Sequence, residues 1–209
     1  MAKFLRTSGR AGVRRYVDAA AKLLIRVGVS ANAVTVAGTA VVVGASVLLL
    51  APGHLLAGLI VVAASVLTDM LDGAIARVKG TTSRFGALLD STCDRLADGA
   101  IMAGLAFFLL AEDRALGGAL ALWALIASQM VSYVKARAES LGAECNVGIA
   151  ERPERLIIAA VAVLLEVLSV PFALEAGIGL LAVLASITVV QRLVFARAVL
   201  AAGEEHVDV

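Results

Sequence analysis

Asp69-Met70-Leu71-Asp72-Gly73-Ala74-Ile75-Ala76-Arg77 and, after eight intervening residues, Gly86-Ala87-Leu88-Leu89-Asp90-Ser91-Thr92-Cys93-Asp94 place four carboxylates around a short polar turn between apolar segments. A carboxylate inside hydrocarbon costs roughly 3 kcal/mol or more even on lenient scales, so a membrane chain keeps one only where a cation, a partner charge or water compensates it. Spacings of three and four residues put side chains on one helical face, so Asp69 and Asp72 form one acidic edge and Asp90 and Asp94 another. Two such edges brought together can hold two divalent cations. Hard carboxylate oxygens suit Mg²⁺, with Mn²⁺ the alternative, rather than zinc or copper. A pair of cations is the usual device for in-line displacement at phosphorus.

The rest of the chain supports a membrane setting. Of its 209 residues 61% are hydrophobic, and the mean hydropathy is strongly positive, which excludes an ordinary soluble domain. The first thirty residues carry seven basic groups but no long apolar run ending in a small-residue cleavage site, so no secretory signal peptide is expected. Cys93 and Cys145 are the only cysteines, and they read as small packing residues rather than a disulfide framework. His54 and His206 belong to no motif.

Six apolar stretches, 33–51, 54–76, 86–111, 115–136, 154–173 and 176–200, are each long enough to cross a bilayer at about 20 residues per span. Threaded in that order, they leave all but Arg114 of the 18 Lys and Arg residues on one side. Cytoplasmic segments collect positive charge, so both termini and the acidic turn are expected in the cytoplasm. Residues 11–28 place Val13, Tyr16, Val17, Ala20, Leu24 and Val27 near one helical face and Arg15, Lys22 and Arg26 on another, the pattern of an amphipathic helix on the inner leaflet. The expected fold is an all-α integral membrane protein, six transmembrane helices preceded by that amphipathic helix. Its divisions are an N-terminal segment 1–31, a six-helix domain 32–200 and a cytoplasmic tail 201–209.

The order Asp69, Asp72, Gly73, Ala76, Arg77, Gly86, Asp90, Asp94, with its spacing, resembles the signature of the CDP-alcohol phosphotransferase family at every specified position. Asn32 to Thr35, Tyr133-Val-Lys-Ala-Arg-Ala-Glu139 and Glu151-Arg-Pro-Glu-Arg155 look most like the actinobacterial phosphatidylinositol phosphate synthases within it. The resemblance implies that Asp69, Asp72 and Asp90 are metal ligands, and that Asp94 takes the proton of the acceptor hydroxyl and also touches a cation. It further implies that Asn32, Ala33, Val34, Thr35, Gly73, Arg77 and Ser83 contact CDP-diacylglycerol. Physical roles run parallel: Gly73 leaves room for a nucleotide to approach the helix backbone, and Arg77 can present its guanidinium to a diphosphate. Asn32, Thr35 and Ser83 have another reading, as caps of the first and third spans. Gly86 fits either close helix packing or room for substrate.

The remaining cations bear on the second substrate. Lys135 and Arg137 end the fourth span, Arg152 and Arg155 begin the fifth, and Arg192 lies in the sixth. Gathered at one mouth they would select an acceptor carrying its own phosphate, which favours inositol 1-phosphate or glycerol 3-phosphate over free inositol or serine. The flanking sequences of Lys135 and Arg155 resemble the inositol phosphate enzymes, giving phosphatidylinositol phosphate as product and glycerol 3-phosphate as the alternative acceptor. Asp98 continues the ladder beyond Asp94 and is expected to pair with Arg95 or with a neighbouring helix. A cation transporter with intramembrane acids is the contrasting class. Against it, the acids cluster near one face beside Arg77, and no acidic residues on the opposite side extend a path. The expected partners are CDP-diacylglycerol, inositol 1-phosphate, membrane lipid and a second copy in a homodimer, with no nucleic acid. Gly38 and Gly44 would permit close helix contact.

Overall fold

The computed structural model describes residues 30–66 and 83–204. The amphipathic segment, the first half of the acidic motif (Asp69, Asp72, Gly73, Ala76 and Arg77) and the last five residues lie outside them. Among the described residues every regular element is helical: α1 (Ala31–Ala45), continued by a π-helical turn (Ser46–Leu50), α2 (Leu55–Val66), α3 (Arg84–Ala111), α4 (Ala115–Ser140), α5 (Arg152–Val167) and α6 (Ala173–Glu204). Two compact units result, Met1–Ala45 with Ile60–Ala97, and Ser46–Leu59 with Asp98–Val209.

Among the described residues three helices are long and apolar enough to cross a membrane: Ala31–Leu50, Ala115–Ser140 and Ala173–Ala202. Of the other expected spans, 54–76 runs past Val66 out of the described residues, and two differ for identifiable reasons. The first half of α3 carries Arg84, Asp90, Asp94, Arg95 and Asp98, which leaves its uninterrupted apolar part to Gly99–Ala111. The α5 helix has 16 residues and ends at Val167 rather than near 173. Beyond it Ser169 adopts a positive φ of 61°, and Pro171, lacking an N–H and disfavouring helix in the residue before it, prevents continuation.

In the second unit α6 packs against both α4 and α5. The buried positions Gly117, Ala121, Ala124, Ser128 and Val131 of α4 recur at alternating steps of four and three, a seam of small side chains that lets backbones come close. Gly177 of α6 is tighter still, since a Cβ there would stand 2.4 Å from the Ala162 Cβ of α5. Gly104 of α3 lies so near the π-helical turn that a Cβ would meet the Ser46 carbonyl oxygen at 2.7 Å. Leu105, Leu109, Leu174, Ile178 and Leu181 fill the centre. Large apolar side chains such as Leu116, Trp123, Ile157, Val183 and Val190 are exposed, as expected where lipid rather than water is the solvent.

At the end of this unit where α4 and α6 begin and α5 stops, Arg114 is clasped by two glutamates. Its Nη1 donates to Glu166 Oε1 at 2.5 Å and its Nε to Glu175 Oε1 at 2.5 Å, with further contacts from Nη2 to both carboxylates. Glu175 first and Glu166 second raise the guanidinium's proton affinity. Of the acids at this end, Glu166 and Glu175 are engaged by arginine rather than aligned along a route, and Glu112 and Asp113 are exposed.

Candidate active site

Within the first unit the start of α3 is built by a hydroxyl cap. Ser83 Oγ accepts the Gly86 amide at 2.9 Å, satisfying one of the amides that a helix start leaves unpaired. Ser83 is therefore a cap as well as a predicted nucleotide contact. At α1 the cap is Ser30, whose Oγ accepts the Ala33 amide at 3.2 Å, so Asn32 does not serve that role. Thr35 is buried, and its hydroxyl donates to the Ala31 carbonyl at 3.1 Å. Ala33 is exposed and Val34 half-buried. The two helix starts meet at Gly86, where a Cβ would lie 3.1 Å from Ser83 Oγ and 3.5 Å from Asn32 Oδ1. Thus Asn32, Ser83 and Gly86, far apart in sequence, share one corner.

From that corner α3 carries Asp90, exposed, and Asp94, half-buried, one turn apart on one face. Asp94 Oδ2 stands 3.8 Å from Arg95 Nη1, which donates to the Ser91 carbonyl at 2.9 Å. Cys93 is buried and free. Among the described residues no three His, Cys, Asp or Glu side chains gather into a metal-holding group, two of the four motif acids being outside them. The donor set that Asp90 and Asp94 present is purely carboxylate oxygen, which fits a hard divalent cation.

In the second unit the predicted acceptor cations border a single loop, residues 141–151. Lys135 Nζ donates to Asn146 Oδ1 at 3.1 Å and lies 3.8 Å from Glu139. Arg192 is buried; its Nε donates to the Val147 carbonyl at 2.8 Å, its Nη1 to the Val131 carbonyl at 2.7 Å, and its Nη2 stands 3.7 Å from Glu151. Arg155, also buried, donates from Nη1 to the Ala150 carbonyl at 3.1 Å. Thr188 accepts the Ala150 amide at 3.1 Å. Gly148 is needed where the loop crosses α6: its φ is 134°, and a Cβ would press to 2.5 Å from Thr188 Cγ2. Arg137 is the outlier, exposed and turned to Ser140 of its own helix at 3.4 Å.

Asp98 resolves between the two partners expected for it. Its Oδ1 accepts from Arg152 Nε and its Oδ2 from Arg155 Nη2, each at 3.2 Å, while Arg95 turns to Ser91 and Asp94. Arg152 and Arg155 lie three apart at a helix start, so they share a face and can meet one carboxylate, but which carboxylate that is depends on the fold.

Residues 28–194 match the CDP-alcohol phosphatidyltransferase family. The chain belongs to that family. As a CDP-alcohol phosphatidyltransferase it is a transferase of phospholipid synthesis, with helices apolar enough to span a membrane. It is 46% identical over 191 residues to the phosphatidylinositol phosphate synthase of Mycobacterium tuberculosis, covering 88% of this chain and 87% of that one. Identity to the phosphatidylinositol phosphate synthase of Corynebacterium glutamicum is 40% over 190 residues, covering 90% and 87% respectively. The crystal structure of the M. tuberculosis enzyme with CDP-DAG bound has a TM-score of 0.83 to this one at 44% identity, covering 87% of this chain and 94% of that one. The same enzyme in complex with manganese and citrate also gives 0.83 at 44% identity, covering 86% and 88%.

Proposed function

We propose that the chain transfers the phosphatidyl group of CDP-diacylglycerol to a hydroxyl of inositol 1-phosphate, giving phosphatidylinositol phosphate and CMP. The observation that carries the choice of acceptor is the gathering of Lys135, Arg152, Arg155 and Arg192 along the 141–151 loop, in a chain akin to synthases of that product. Buried guanidinia beside a fixed loop suit a phosphate better than an uncharged polyol, because planar donor forks match phosphate oxygens. Arg137 has the weakest claim, being exposed and engaged with its own helix.

Asn32, Ala33, Val34, Thr35 and Ser83, with Gly73 and Arg77, hold the cytidine diphosphate end of the donor lipid. Asp69, Asp72, Asp90 and Asp94 hold two divalent cations, Mg²⁺ or Mn²⁺, which when bound neutralise the diphosphate and the departing CMP. Asp94 takes the proton from the attacking hydroxyl. The hydroxyl oxygen forms a bond to the lipid-side phosphorus as the bond to the CMP oxygen breaks, and the basic loop holds the acceptor's own phosphate in line.

In this reading the chain forms six spans with both termini and the site cytoplasmic, and it works as a homodimer. Residues 1–31 lie on the inner leaflet, 32–200 form the catalytic domain and 201–209 a tail. The test is CMP release from CDP-diacylglycerol with single acceptors. Inositol 1-phosphate should support turnover, with free inositol and serine inactive. Turnover with glycerol 3-phosphate alone would replace the reading with a phosphatidylglycerol phosphate synthase.

A further inference from the structure

We propose that Asp98 is a positioning residue for the acceptor, holding Arg152 and Arg155 in the orientation that receives its phosphate. The proposal rests on the acceptor reading given above and adds a residue outside the signature and outside the predicted contacts. One carboxylate serves two guanidinia here: Oδ1 receives Arg152 through Nε, and Oδ2 receives Arg155 through Nη2, both at 3.2 Å. The Asp98 side chain is 13% exposed and that of Arg155 6%, so the pair is withdrawn from water and its geometry is strongly defined. A carboxylate so placed, with both oxygens used, fixes the planes of two guanidinium groups rather than merely neutralising one.

Orientation matters because arginine reads phosphate through a rigid planar fork, and a rotated plane loses the paired hydrogen bonds even though its charge remains. The backbone around the pair is fastened as well. Arg155 Nη1 donates to the Ala150 carbonyl, and the Ala150 amide donates to Thr188 Oγ1, each at 3.1 Å. The loop that leads into α5 and the two arginines at its start are therefore set by one connected group of contacts, with Asp98 at its α3 end. Asp98 is also the third member of the ladder Asp90, Asp94, Asp98 at steps of four residues on α3. The helix that supplies two motif acids supplies the anchor for the phosphate-binding arginines.

The experiment compares wild type, Asp98→Asn, Asp98→Glu, Arg155→Gln and the double variant Asp98→Asn/Arg155→Gln by CMP release, varying each substrate in turn and recording the unfolding midpoint in detergent. Asp98→Asn should raise the KM for inositol 1-phosphate about tenfold, the scale of a hydrogen bond to a charged group, with the KM for CDP-diacylglycerol unchanged. Asp98→Glu keeps the charge on a longer arm and should raise the acceptor KM about threefold, between wild type and the amide. The double variant should be no worse than Arg155→Gln by more than about twofold, since contacts acting as one unit are not additive. An unchanged acceptor KM in Asp98→Asn beside a raised one in Arg155→Gln overturns the positioning role and leaves the acceptor reading standing. An unchanged acceptor KM in Arg155→Gln removes that reading and this proposal with it. A uniform loss for both substrates with a lowered midpoint, not relieved in Asp98→Glu, marks a purely structural carboxylate and also overturns the proposal. If Asp98→Asn does not purify folded, Asp98→Glu decides by the same criterion, a selective rise in acceptor KM or none.

Discussion

Asp90 and Asp94 differ in what surrounds them, and the difference separates folding from chemistry. Asp90 is exposed, so exchanging its charge for an amide removes little packing. Asp90→Asn should abolish turnover, a loss of at least about 100-fold if Asp90 holds a cation as proposed, while the unfolding midpoint stays within about a degree or two of wild type. A retained rate in steady-state CMP release would show that Asp90 is no ligand. At this scale the shared helical face of Asp90 and Asp94 was legible, because their spacing needs only helical periodicity to be read. The corner joining Asn32, Ser83 and Gly86 was half visible: the residue types suggested both caps and nucleotide contacts, but only the fold brings α1 and α3 together. The grip of Asp98 on two arginines, and the use of Arg192 to fasten Val147 and Val131, depend on partners some 40 to 60 residues away, which spacing along one helix does not encode.

Among elements, the clasp at Arg114 makes the sharpest stability prediction. Arg114 lies between α3 and α4, while Glu166 and Glu175 belong to α5 and α6, so one guanidinium ties three helix ends. The groups are partly exposed, with 25% for the arginine side chain and 17% for each glutamate, which tempers their worth relative to a fully buried pair. Arg114→Met should lower stability by about 1–3 kcal/mol by leaving two carboxylates facing each other, read as a reduced thermal midpoint in detergent with inositol phosphate KM unchanged. An unaltered midpoint would mean the clasp contributes nothing net. Helix existence and order were legible from apolar runs, and five of the six expected starts fall within two residues of those observed among the described residues. The end of α5 was not: the apolar run continues to Val170, and only the turn at Ser169 before Pro171 stops the helix. Nor did the α3 stretch read as interrupted, because hydropathy averaged over it hides the acids and arginines concentrated in its first half.

For the molecule as a whole, charge asymmetry and chemistry make a joint claim. Every Lys and Arg except Arg114 falls on one side of a six-span threading, so reporters fused after Val209 and before Met1 should both register as cytoplasmic, and one inserted beside Asp113 should register outside. A reporter at Asp113 that reads as cytoplasmic would break the threading. The most direct measurement of the central claim follows the acceptor itself. Inositol 1-phosphate labelled in its phosphate is incubated with CDP-diacylglycerol, Mg²⁺ and the purified protein, and lipid and water phases are separated. The label should enter the lipid phase with one CMP released for each labelled lipid formed. CMP released while the label stays in water, or labelled lipid formed without CMP, would contradict the account.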